Sequence, residues 1–234
     1  MSEKRTFDNF DEFAEDYRKT HDDAVKISGV DSSYFSEYKI KELLKFENRQ
    51  EPIRILDFRC GDGHSSTFIR KYFPKSIIAG VDVSEASVNI AKEKNIGKAF
   101  FTVFDGLELP YKEEEFDVVF TSMVFHHIEH KLHHIVLKEI HRVLKKGGRF
   151  YNFEHNPYNP LTRKVVRECI FDEDAVLLKP SYNRKVTIES GFKVERLSYT
   201  LFFPRQKIFT LFHLLEPAFS WIPIGAQYYI RAVK

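Results

Sequence analysis

Two cysteines in 234 residues, Cys60 and Cys169, are too few for a disulfide framework, so stability has to come from a packed core. No apolar leader opens the chain, which starts MSEKRTFDNFDEF, and a reducing, cytoplasmic location is the expectation. A clean apolar run of the roughly 20 residues that cross a bilayer is also missing. The most apolar region, residues 208–224, is broken by His213, Glu216, Pro217 and Pro223, which makes it a candidate membrane-surface contact and not a span. Excess charge of one sign is lacking too. With 36 Lys and Arg against 34 Asp and Glu, the broad positive field of a dedicated nucleic-acid binder is absent, and nucleic acid is not the expected partner. The balance is locally uneven: residues 1–23 carry eight acids against four bases, and residues 179–234 nine bases against three acids. Internal repeats and low-complexity linkers are absent, so one domain over 1–234 is expected: a helical cap at 1–50, a core at 51–155, and an insert with closing strands at 156–234.

What the chain has is a 43% hydrophobic content and a regular alternation of patterns. Short runs rich in Val, Ile and Phe at 53–58, 76–83, 99–103, 116–121 and 149–155 read as strands; the stretches 64–72, 84–94 and 132–144 have helical spacing. Ser84 reads as an N-cap, and Gly147-Gly148 as the stop of the third helix before the fifth strand. Strands alternating with helices predict an α/β fold, a doubly wound, mostly parallel sheet with helices on both faces. The runs 192–203 and 227–233 predict an antiparallel pair at one edge, completing seven strands. Phe7, Phe10, Phe13 and Tyr17 fall on one face of a helix that packs on the core or covers a pocket.

Ligands in doubly wound sheets sit beyond the carboxyl ends of the strands, first of all at the turn after the first strand. Here that turn is Asp57-Phe58-Arg59-Cys60-Gly61-Asp62-Gly63. Gly61 and Gly63 permit close approach of the backbone. The dinucleotide pattern G-x-G-x-x-G is not met, because Ser66 stands at the third glycine's place. Asp57 would repel a pyrophosphate and attract an ammonium group, which points to a cationic ligand bearing an amino acid. Asp82 ends the second strand, where an acid accepts hydrogen bonds from ribose hydroxyls. Asp105 ends the third strand with Phe104 beside it, a pairing suited to a purine and its exocyclic amine. Each acid by itself is more often a turn former; three in order at three strand tips point to a site.

The segments ILDFRCGDG, GVDVSEASVNIAKEK, FDGLELPYKEEEFDVVFTSMVFHHI and LKEIHRVLKKGGRFYNFEH, in this order and spacing, resemble a class I S-adenosylmethionine-dependent methyltransferase of the small type 11 kind. The resemblance covers nearly half the chain. It implies S-adenosylmethionine as cofactor, with Asp57 and the turn from Gly61 to Gly63 holding the methionine part, Asp82 the ribose, and Asp105 with Phe104 the adenine; Arg59, Cys60, Val83 and Gly106 are expected among the cofactor-binding residues. Met123 to His127 would line the methyl-transfer site; Ser122 is a further expected cofactor-binding residue, as is Tyr17 if the N-terminal aromatic helix covers the pocket and gives a ring to the ligand. The stretches GFKVERLSYTLFFP and PIGAQYYIRAVK are similar to the family's closing strands, while EHNPYNPLTRKVV and FDEDAVLL resemble a subgroup linked to small-molecule or surface-sugar methylation. Arg59 departs from the family, which has glycine or alanine there. Its side chain either turns away, contacts the ligand's carboxylate, or displaces the cofactor.

The resemblance implies methyl transfer to oxygen or nitrogen of a small-molecule acceptor. A hydroxyl acceptor benefits from a base near neutral pH, and His127 and His155 are the candidates, with His21 behind them. His126 with His130, and His130 with His134, have the i, i+4 spacing of metal ligands, but no H-E-x-x-H order accompanies them and no metal is expected. Two other readings stand: a noncatalytic protein of the same fold whose cofactor site Arg59 has closed, and an RNA-modifying methyltransferase that uses the basic tail.

Overall fold

The structure, a computed structural model, describes residues 31–169, 172, 175–203 and 215–234. Phe7, Phe10, Phe13, Tyr17 and His21 lie outside the described residues, as do residues 208–214 of the apolar region. The first described helix, α1 (Ser32–Leu43), starts at Asp31, whose Oδ1 accepts a hydrogen bond from Tyr34 N at 3.0 Å. There follow β1 (Arg54–Phe58), α2 (His64–Tyr72), β2 (Ile77–Asp82), α3 (Glu85–Glu93), β3 (Ala99–Val103), β4 (Phe116–Ser122), α4 (His133–Val143) and β5 (Leu144–His155). Beyond them come α5 (Pro160–Glu168), α6 (Pro180–Glu189), β6 (Lys193–Thr200), the single turn α7 (Glu216–Phe219) and β7 (Gln227–Val233).

The sheet has seven strands in the order β3-β2-β1-β4-β5-β7-β6. The first five are parallel; β7 runs antiparallel to β5, and β6 antiparallel to β7. The chain turns outward from β1 in both directions, so strand order reverses between β1 and β4 and leaves a crevice at their carboxyl ends. Both faces of the sheet are covered, which is why its central strands are continuous apolar runs instead of alternating ones. Ile55 is buried with Ile40 and Leu43 of α1, Ile69 of α2 and Phe73 just after it, and its neighbour Leu56 with Val136, Leu137 and Ile140 of α4.

Ser84 is an N-cap as expected, its side chain accepting from Ser87 N. Gly147 and Gly148 are not the helix stop. α4 ends at Val143 and the next residue, fully buried Leu144, already pairs with Phe116. The chain leaves the helix early because Leu144 enters the core. The glycines then carry a register shift in the β4–β5 ladder: Gly147 has φ +74°, and a Cβ on Gly148 would come within 2.8 Å of Lys145 O. Among the described residues, no helix is long and apolar enough to cross a membrane.

Candidate functional site

A pocket opens at the carboxyl ends of β1, β2 and β4 and is closed on one side by α1. Asp57, at the tip of β1, is buried there, and its Oδ2 accepts a hydrogen bond from Ser66 Oγ at 2.7 Å. Burial raises its carboxyl to about 7, with the nearby Asp82 and Asp62 adding to the effect and Ser66 opposing it. Asp82, at the tip of β2, organises the glycine turn: Gly61 N donates to its Oδ2 at 2.8 Å and Ser84 N to its Oδ1 at 3.0 Å. Gly61 has φ +52°, and a Cβ there would meet nothing within 4 Å, so the space beside it is cavity. Gly63, at φ +73°, has the opposite reason for being glycine, since a Cβ would lie 3.0 Å from that of Ala91 on α3.

Arg59 has φ +57°, in the left-handed region that costs a side-chain-bearing residue about 1–2 kcal/mol. It does not turn away. Its side chain lines the pocket, with the guanidinium 5.7 Å from the ring centroid of Phe104 and close enough to Asp82 for the two charges to act on each other. Met123, at the end of β4, also has positive φ, at 60°, and also lines the pocket; strain of this kind persists where the surroundings hold it in place.

Of the residues expected around the cofactor, Asp57, Arg59, Cys60, Gly61, Asp82, Val83 and Ser122 meet in this one pocket. Gly63 shapes the turn from behind. Phe104 packs edge-on against Phe58, under Arg59, and does not border the cavity. Asp105 is exposed, and its Oδ1 is taken by Leu107 N and Glu108 N; neither it nor Gly106 lines the pocket. His127 does line it, whereas His155 sits behind His126, ring centroids 5.3 Å apart. Burial and the neighbouring His126 bring His155 down to about 3.

Five contributors escaped sequence reasoning. Ser32, Ser36 and Lys39 of α1 line the pocket, and the Lys39 Nζ, buried, donates to Ser122 Oγ at 2.7 Å. Burial lowers this amine to about 7, with Glu154 partly offsetting the shift. The spacing of four and three puts those residues on one helix face, and Lys39 four places before buried Leu43 was the available signal. Glu154, fully buried in β5, accepts from Val124 N at 3.2 Å and Phe125 N at 2.8 Å, which fixes the turn after β4, and it binds His126 Nδ1 at 2.6 Å. Asp172 approaches His127 Nε2 at 3.3 Å and His126 Nε2 at 3.5 Å.

Residues 56–152 match the family described as Methyltransferase domain. That match takes in less than half of the chain, the part that carries the four segments resembling a class I S-adenosylmethionine-dependent methyltransferase, and it supports that family. The cofactor of this family is S-adenosylmethionine. The chain is similar to 27-O-demethylrifamycin SV methyltransferase of Amycolatopsis mediterranei, 32% identical over 102 residues, covering 41% of this chain and 36% of that protein. It is also similar to demethylmenaquinone methyltransferase of Thermotoga maritima, 29% identical over 150 residues, covering 64% of this chain and 61% of the other. The chain thus spans less than two thirds of the length of each of these curated relatives. A crystal structure of an S-adenosylmethionine-dependent methyltransferase from Thermotoga maritima superposes with a TM-score of 0.69 at 20% identity, over 96% of this chain and 98% of that one, which speaks to the fold.

Proposed function

We propose that the protein transfers a methyl group from S-adenosylmethionine to a hydroxyl or amine of a small-molecule acceptor. The observation that carries the reading is the convergence of Asp57 and Asp82, from the tips of adjacent strands, on one pocket with the Gly61 turn and His127. Asp57 is assigned to the ammonium group of the cofactor's amino acid, Asp82 to its ribose hydroxyls, and the open space at Gly61 to the chain between them. Lys39, whose amine stands at Ser122, is assigned to the carboxylate of that amino acid. The donor set fits a zwitterionic, cationic ligand: acids on one wall, a basic amine on the other.

S-adenosylmethionine supplies an electrophilic methyl group on a sulfonium, so the acceptor's lone pair forms the new bond while the carbon–sulfur electrons stay on sulfur. The protein's task is alignment of the two reactants. His127, the one of the two expected bases that borders the pocket, marks the acceptor's end and engages its nucleophilic atom. The printed names of the two curated relatives refer to small-molecule acceptors, which supports that class here.

Calorimetry with S-adenosylhomocysteine tests the assignment. The wild-type chain is expected to bind one equivalent, and Asp82→Ala to weaken binding about 100-fold, the loss of a charged hydrogen-bonding group from a buried site. No heat from the wild type at millimolar ligand, with binding restored by Arg59→Gly, would instead favour the noncatalytic reading. No heat from either protein would remove the cofactor pocket altogether.

A further inference from the structure

Behind the acceptor end lies a cluster that methyl transfer in its simplest form does not need. His126 is buried, and its Nδ1 hydrogen bonds to Glu154 Oε2 at 2.6 Å. With that nitrogen donating its proton to the carboxylate, the lone pair of the other is free to act as an acceptor or ligand. The other nitrogen, Nε2, is itself buried and, among the described residues, makes no close hydrogen bond. It points toward Asp172 Oδ1, 3.5 Å away, and the same oxygen lies 3.3 Å from His127 Nε2. A lone pair facing a carboxylate oxygen across that gap is repulsive unless a positive charge stands between them.

We propose that His126, His127 and Asp172 hold a divalent first-row transition-metal ion. The three donor atoms lie within 4.8 Å of one another. Ligands about 2.1 Å from a tetrahedral ion are about 3.4 Å apart, which is the separation that Asp172 keeps from both imidazoles. Two nitrogens and one oxygen suit zinc or its neighbours in the series and not calcium or magnesium, which prefer oxygen alone. The surroundings are also those of a metal site. Glu154 orients His126 through the nitrogen away from the ion, the usual carboxylate–histidine–metal arrangement, and is itself held by the backbone amides of Val124 and Phe125.

Three protein ligands leave a coordination position, as in catalytic zinc sites. Because His127 also borders the pocket, that position is available to the acceptor, whose hydroxyl the ion would acidify. This use of the ion rests on the methyltransferase reading, but the binding of the ion does not. The i, i+4 histidine pairs in the sequence were the wrong place to look. His130 and His134 are turned to other partners, His130 stacking on Tyr182 and His134 Nδ1 meeting Ser190 Oγ at 3.1 Å.

The test is a zinc titration of the full chain after removal of metal by a chelator, followed by calorimetry and repeated with cobalt(II), whose visible spectrum reports coordination geometry. One equivalent is expected to bind, with a tetrahedral cobalt spectrum. Asp172→Asn and His127→Ala should each weaken zinc at least about 100-fold, and Glu154→Gln about 10–100-fold, the usual effect of losing a supporting carboxylate. Thermal melts of the metal-free variants separate a lost ligand from a lost fold, and Asp172→Asn, on the outer side of the cluster, serves if Glu154→Gln does not fold. Zinc binding that is absent in the wild type, or unchanged in Asp172→Asn and His127→Ala, overturns the proposal and leaves a proton as the charge between the two carboxylates. S-adenosylhomocysteine binding in the same samples reports on the cofactor site separately, so failure of one reading is not mistaken for failure of the other.

Discussion

A carboxyl group cut off from water resists ionisation, and Asp57 carries that cost at the centre of the pocket. Its folded-state value of about 7 lies above the ordinary carboxylate value, so between the two the folded protein holds a proton that the unfolded chain has released. The contribution of this group to stability is therefore complete below about pH 4 and lost as pH rises through 7. Asp57→Asn removes the cost while keeping an acceptor for Ser66. Urea denaturation should show the variant's gain over wild type to be about 2–3 kcal/mol larger at pH 8 than at pH 5, in the absence of ligand. Equal gains at both pH values would mean that the carboxyl is not held neutral. A cationic ligand reverses the preference, so binding should release a proton at pH 6–7. That Asp57 ends a strand before a glycine turn is visible in the sequence; its protonation state is not, because it depends on what covers the strand tip from α1 and β2.

At the scale of the element, α1 is the piece that turns a generic strand-end crevice into a walled pocket, and two carboxylates tie it down. Glu37 accepts from Tyr72 OH at 2.7 Å and Lys71 Nζ at 2.6 Å, both on α2; these links are partly exposed and contribute little. Glu47, just beyond α1, is buried and accepts from Tyr151 OH at 2.6 Å and Arg149 Nε at 3.0 Å on β5. Glu47→Ala leaves Arg149 without its counter-charge and a buried tyrosine hydroxyl without its acceptor. The expected loss is about 3 kcal/mol, read from the urea midpoint, with Glu47→Gln losing less. A loss below about 1 kcal/mol would show that α1 is held by its apolar face alone. The helical core elements α2 and α3 could be read from spacing within a residue, because their apolar stripes are local. The end of α4 could not: Leu144 is drawn into the core by its partner Phe116 on another strand, and glycines that look like a helix stop serve a bulge.

For the whole molecule, near-neutrality of charge bears on the kind of partner. A net charge of +2 predicts no retention of structured RNA even at about 50 mM salt, where phosphate contacts are strongest. Filter binding at that ionic strength checks this, and a tight complex that weakens steeply with added salt would revive the RNA-modifying alternative. At the far edge of the sheet β7 lies between β5 and β6 and runs antiparallel to both.

By itself the sequence determined the alternation of strands and helices, the reversal that opens a crevice beside β1, and the acids at the strand tips, because backbone periodicity and burial are written in neighbouring residues. Only the tertiary structure decided that Lys39 enters the pocket from α1, that the Arg59 side chain lines the pocket near Phe104, that Asp105 stays outside, and that Asp172 meets His126 and His127. Those are contacts between residues tens of positions apart, set by how helices and loops pack across the sheet, and no local pattern encodes them.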